Sequence, residues 1–223
     1  MTTHLATPLI IDYYSDVLCV WSWIAQRRND EINKQWGEQV VLHHLYLNLF
    51  GSYQRRMTQQ WATRGGATGF ADYVHASVAP FDNAPIHPEL WRSVKPQSSL
   101  NAHLLIKASE LHYGSAASEQ FTFAIRDAFY THAQDIGQQS LLLDLAQQQS
   151  LDRAPLLDAL ESGAAAAELM SDYQKAQESS IKGSPSWVLD GGRQLLYGNV
   201  GYRVLHANIE ELLKNPEQEA SWC

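Results

Sequence analysis

Residues 8–14 read Pro-Leu-Ile-Ile-Asp-Tyr-Tyr, a short apolar run of β-favouring side chains that predicts a buried strand. Ser15 and Asp16 then supply side chains suited to capping a helix. From about Cys19 to Trp36 the apolar positions recur at helical spacing, through Trp23, Ile24, Ile32 and Trp36, and Gly37 ends the run. Residues 40–49 form a second strand pattern. A β-α-β opening predicts a parallel strand pair joined by a crossover helix.

The middle of the chain changes character. From Gly51 to about Pro96 it is polar, aromatic and irregular, with Gly65-Gly66 and prolines at 80, 85, 88 and 96. Helical periodicity then predicts helices over residues 98–111, 116–133, 140–149, 152–160 and 164–178. Strands return as Ser186-Trp187-Val188-Leu189 and Gln194-Leu195-Leu196-Tyr197, and Asp190-Gly191-Gly192 between them predicts a hairpin. Val204, Leu205, Ile209, Leu212 and Leu213 give a last helix one apolar face, closed by Pro216. The order is that of a thioredoxin interrupted by helices. The expected fold class is therefore α/β, a thioredoxin-like fold with an inserted all-helical domain. The expected division is a discontinuous thioredoxin-like domain over 1–50 and 181–223, with a helical insertion domain over 51–180.

Composition narrows the partners. The 223 residues suffice to bury a sizeable core. Sixteen Lys and Arg against 24 Asp and Glu leave a net charge of −8, which argues against nucleic acid and anionic membranes. No apolar run approaches the ~20 residues of a membrane span. Residues 1–8 carry neither a basic segment nor an apolar core, so no secretory signal is expected and the expected location is cytoplasmic. Two cysteines, Cys19 and Cys223, exclude a disulfide framework and a Cys-rich zinc site. His43 and His44 point to opposite faces of a strand, and the other histidines lack ligand spacing, so no metal is expected.

The chemistry concentrates in Asp16-Val17-Leu18-Cys19-Val20-Trp21-Ser22-Trp23, where the first strand feeds the first helix. A cysteine at a helix N-terminus faces free amide groups and the positive end of the dipole, and both favour the nucleophilic thiolate. Ser22, one helical turn on, is expected to hydrogen-bond that thiolate but cannot close a disulfide with it. The competing reading is an inert core cysteine. Lys182-Gly183-Ser184-Pro185-Ser186-Trp187 puts a proline at a strand start. One reading is an ordinary trans bond; the other is a cis proline facing Cys19, with the Ser184 backbone free to pair with an extended thiol or peptide.

Together these segments resemble the DsbA family of thioredoxin-fold proteins. They are most similar to its cytoplasmic FrnE-like branch, which is related to 2-hydroxychromene-2-carboxylate isomerase and kappa-class glutathione transferases. Residues 16–24 are similar to that branch's Asp-x-x-Cys-Pro-Trp-Cys-Tyr-Ile, Leu45-Tyr46-Leu47-Asn48 to its Pro-Phe-x-Leu-Asn, and Asn101-Ala102-His103 to its Ala-His pair. Phe129-Tyr130 with Asp135-Ile136, and Gly183-Ser184-Pro185, match two further segments. Here Ser22 replaces the second cysteine and Val20 the proline. The resemblance implies thiol–disulfide exchange at a monothiol site. Glutathione or another small thiol or disulfide would be the co-substrate, and no cofactor would be tightly bound. Gly198-Asn199-Val200-Gly201-Tyr202-Arg203 is similar to the turn that the isomerase and transferase relatives use near the γ-glutamyl group. The expected catalytic residues are thus Cys19 and Ser22, and the expected binding residues Trp21, Trp23, His103, Ser184, Pro185, Asn199 and Tyr202. Two alternatives stand beside this. One is a glutathione-dependent isomerase or transferase; the other is a non-catalytic thiol-binding or interaction protein. Cys223 is a candidate resolving thiol, in the same chain or across a homodimer, and Asp12 a candidate proton acceptor beneath Cys19.

Overall fold

The computed structural model describes residues 7–214. Its elements are β1 (Leu9–Ser15), α1 (Val20–Trp36), β2 (Val40–Tyr46), α2 (Tyr53–Arg55), α3 (Gly66–Val78), α4 (Leu100–Tyr130), α5 (Gln139–Gln148), α6 (Arg153–Glu161), α7 (Ala164–Glu178), β3 (Ser186–Leu189), β4 (Gln194–Tyr197) and α8 (Tyr202–Lys214). Four strands form one sheet in the order β2-β1-β3-β4. β1 and β2 run parallel, with α1 as crossover, and β1–β3 and β3–β4 are antiparallel. The fold is thioredoxin-like, with helices inserted between β2 and β3.

β1 is central, so both of its faces are covered. Its period-two alternation sends Leu9, Ile11 and Tyr13 to a cluster with Trp187, Leu205 and Ile209, and Tyr14 to a second cluster with Leu45, Leu47 and Val188. α1 divides its apolar residues likewise: Ala25 and Ile32 face the first cluster, while Val20, Trp23 and Ile24 join the insertion helices. That largest cluster surrounds Trp91, which stacks on Phe50 and Tyr53 and meets Phe70 and Phe129 edge-on.

Residues 51–96, expected to be irregular, hold α2, a π turn at Arg56–Gln60 and the 13-residue α3. Gly65, Gly66 and Gly69 hide the start of α3, although Phe70, Ala71, Val74 and Val78 bury one helical face. β2 stops at Tyr46 rather than Leu49, because the chain there turns to deliver the Leu49 and Phe50 amides to the Asp16 carboxylate. On α8, Leu205, Ile209 and Leu212 are buried, but Val204 is 48% exposed and lies outside the face assigned to it. The proposed stop at Pro216 and the candidate resolving Cys223 lie outside the described residues.

The helices expected over 98–111 and 116–133 are two limbs of α4, bent at Gly114 (φ 82°, ψ 174°). Only glycine adopts that region without strain of about 1–3 kcal/mol. Gly114→Ala should therefore lower unfolding free energy by about that amount in urea titrations, with an unchanged m-value. A loss within measurement error would show that the bend is not fixed by this residue. Among the described residues no helix is long and apolar enough to cross a membrane, and no three His, Cys, Asp or Glu gather to hold a metal ion.

Candidate functional site

The loop from Asp16 to Cys19 joins the central strand to α1, and every backbone N–H in it has a partner. Asp16 N–H donates to Ser184 Oγ (3.1 Å), Val17 N–H to His103 Nε2 (3.2 Å), Leu18 N–H to Asp16 Oδ1 (2.9 Å) and Cys19 N–H to the Asp16 carbonyl (3.0 Å). The Asp16 carboxylate is fully buried. Its Oδ2 accepts from the Leu49 and Phe50 amides and the Ser99 hydroxyl, at 3.1, 3.0 and 2.9 Å. One side chain thus ties together the β1–α1 loop, the segment after β2 and the start of α4.

Cys19 is the N-cap of α1, with extended backbone (φ −82°, ψ 114°). Its thiol makes no capping bond to the first-turn amides; it donates to the Ser184 carbonyl at 3.3 Å. The Ser184–Pro185 peptide bond is cis. The residue is 8% exposed and opens onto a cavity of about 410 Å³. Trp21 and Tyr73 share one wall, joined by an indole-to-phenol hydrogen bond of 2.6 Å. Arg56, Gln60, Lys182, Ser184 and Tyr197 complete the polar lining, and no lining residue carries a carboxylate. Gly183 lets the Tyr197 ring lie against the chain: a Cβ there would stand 2.8 Å from the Tyr197 hydroxyl oxygen. Arg56 is held by the Gln60 side chain (2.9 Å) and lies over the Phe50 ring. Burial pulls its guanidinium below the usual value, while nearby Cys19 and Asp16 oppose that shift.

The structure therefore brings Cys19, Trp21, Ser184 and Pro185 together, and places other expected site residues elsewhere. Ser22 does not reach the thiol; its hydroxyl sits 2.6 Å from Ser184 Oγ, because one turn on from the N-cap it points beneath the helix toward the start of β3. Trp23 is a core residue rather than a groove wall: it stacks on Tyr130 and its indole N–H donates to the Pro85 carbonyl. His103 does not line the cavity. It is fully buried under the loop, and burial lowers its pKa to about 4 despite Asp16 at 3.8 Å, so the ring is neutral and Nε2 is free to accept from Val17. Asn199 accepts from Arg28 and Tyr202 donates to Gln35, both on the outer flank of α1 and outside the Cys19 cavity. Asp12 pairs with His43 at a partly exposed site and is not beneath Cys19. Sequence reasoning missed Asp16 as the buried carboxylate, Arg56 and Tyr73 as cavity walls, and Arg126, a fully buried cation under α1.

Comparisons with known proteins agree with this fold. The sequence is 23% identical over 223 residues to the ClpXP adapter protein SpxH of Halalkalibacterium halodurans, covering 95% of this chain and 70% of that protein. The fold is similar to a structure assigned as a protein disulfide isomerase from Nitrosomonas europaea (TM-score 0.76, 16% identity, 94% of this chain and 100% of that one). It is also similar to the cytosolic disulfide reductase DsbM from Pseudomonas aeruginosa with GSH (TM-score 0.66, 17% identity, 93% and 98%). At such identities the likeness speaks to fold alone. The model of the DSBA-like thioredoxin domain matches residues 10–210, and the chain belongs to that family.

Proposed function

We propose that this chain is a monothiol thiol–disulfide exchange protein of FrnE-like character, acting in the cytoplasm with glutathione or a similar small thiol. The observation that carries the reading is the Cys19 thiol held at 3.3 Å from the Ser184 carbonyl, at the edge of a cavity whose charged lining is cationic. The thiol first loses its proton to solvent. The thiolate then attacks one sulfur of a disulfide, forming a Cys19 mixed disulfide and releasing the other half as thiolate. A second small thiolate attacks the adduct, regenerating Cys19 and forming a new disulfide, so oxidation is passed on with no net change in the protein. The Ser184 carbonyl, freed when Cys19 ionises, accepts a backbone N–H of the bound thiol, and Arg56 and Lys182 favour an anionic one.

Incubation with oxidised glutathione followed by peptide mapping should find one glutathionyl group on Cys19, absent in Cys19→Ser. A Cys19 that stays free in the folded chain, yet reacts once the chain is denatured, would sink the reading. A second reading is favoured by Ser22, whose hydroxyl is engaged with Ser184 where a resolving thiol would stand, and by the likeness to an adapter protein. In it the cleft binds a protein partner without turnover, and alkylating Cys19 leaves that affinity unchanged.

A further inference from the structure

α1 buries a polar stripe as well as an apolar one. Ser22, Gln26 and Asn29, at i, i+4 and i+7, are all buried on the side facing β1 and α4. Opposite them lies Arg126 of α4, with no exposed surface. Its guanidinium donates to Gln26 Oε1 (2.7 Å) and Ser15 Oγ (2.9 Å), both neutral, and its Nε has no partner. Among the described residues no carboxylate lies within ion-pair distance of it. A buried cation left without a counter-charge is costly. The hydroxyls of Tyr13 and Tyr130 are also buried and unpartnered. Tyr13 lies close to Ser22 and Asn29 without meeting hydrogen-bond geometry, and both phenols lie within the fields of Arg126 and Cys19. Ser22 in turn touches Ser184, whose carbonyl holds the thiol. A seam of buried polar groups, not joined end to end by hydrogen bonds, therefore lies under α1 between Arg126 and the nucleophile.

We propose that Arg126 is a positioning residue that stabilises the thiolate of Cys19 from beneath α1, with the Tyr13 and Tyr130 hydroxyls carrying its field inward. The proposal rests on the reading of Cys19 as the reactive group. Gln26, which accepts from the guanidinium, stands seven residues beyond Cys19, roughly 10 Å along the helix axis. A unit charge at that range, in a protein-like dielectric, changes the thiolate fraction at fixed pH by about tenfold. Other groups also face the sulfur: Asp16 from its own loop, and Arg56, Lys182, Tyr73 and Tyr197 across the cavity. Around Arg126 itself stand Tyr46, neutral His103, and Asp30 and Glu119, the two carboxylates whose ionisation it favours without contact.

The test is ultraviolet titration of the thiolate, with the Cys19→Ser chain subtracted so that Cys223 does not contribute. Arg126→Met should raise the Cys19 midpoint so that the thiolate fraction at fixed pH falls about tenfold, and Arg126→Lys should restore most of it. A folded Arg126→Met protein with the wild-type midpoint overturns the proposal. Should Arg126→Met not fold, the paired Tyr13→Phe and Tyr130→Phe variant decides: a raised midpoint supports the seam and an unchanged one overturns it. A shifted midpoint in a protein that forms no glutathione adduct would sink the exchange reading and leave this inference standing.

Discussion

Replacing Asp16 by alanine is expected to cost about 3–5 kcal/mol of stability, the largest effect of any single change near the site. Three backbone amides and the Ser99 hydroxyl donate to this carboxylate, and all four lie in buried or part-buried places where water cannot substitute. Each buried donor left unmade costs on the order of 1–3 kcal/mol, partly offset because the buried charge disappears too. Asp16→Asn should fall between wild type and alanine. Its carbonyl can keep the three Oδ2 contacts, but its amide then faces the Leu18 N–H, donor against donor. Urea unfolding of the two variants measures this, and a loss below about 1 kcal/mol in both would show that the loop is held by other means. The alanine variant should also lose selective alkylation of Cys19, since the loop that aims the sulfur is freed at one end.

Acid should destabilise the protein through His103 as the pH falls below 6.5. Burial lowers its pKa in the fold to about 4, against an ordinary value of 6.5. Between those values the unfolded chain binds a proton that the native state refuses, so stability rises with pH across the window. The contribution is complete above pH 6.5 and lost by about pH 4, and amounts to roughly 3 kcal/mol. Protonation would also destroy the acceptor for the Val17 amide. His103→Gln keeps an acceptor there but cannot titrate. The difference between the two stability–pH curves should therefore slope by about one proton between pH 6.5 and 4. Parallel curves would mean that His103 is already protonated in the fold.

Local pattern carried much of this architecture. Period-two and period-3.6 runs marked β1, α1, both limbs of α4, α5 to α7 and the closing hairpin, and the cysteine and proline motifs marked the two halves of the cleft. What pattern could not carry was partnership across the chain. Asp16 looked like a helix cap because its nearest signal is α1; its partners Leu49, Phe50 and Ser99 lie 33, 34 and 83 residues away. Arg56 and Tyr73 come from the glycine-broken stretch where periodicity is weakest, so their meeting with Cys19 had no local trace. Trp23 was legible and misassigned: with Val20 and Ile24 it completes an i, i+3, i+4 apolar face, which places it in the core, while Trp21 falls beside that face.

The bend at Gly114 makes α4 a calliper around the nucleophile loop. One jaw ends in His103, gripping the Val17 amide, and the other in Arg126, gripping Ser15 and Gln26. The opening between the jaws is set by the joint at Gly114 and by the Ser118 hydroxyl, which donates across it to the Ile106 carbonyl. Any change that straightens the joint must slacken both grips at once, and the electrostatic setting of the sulfur would drift in step with the acid tolerance of the fold.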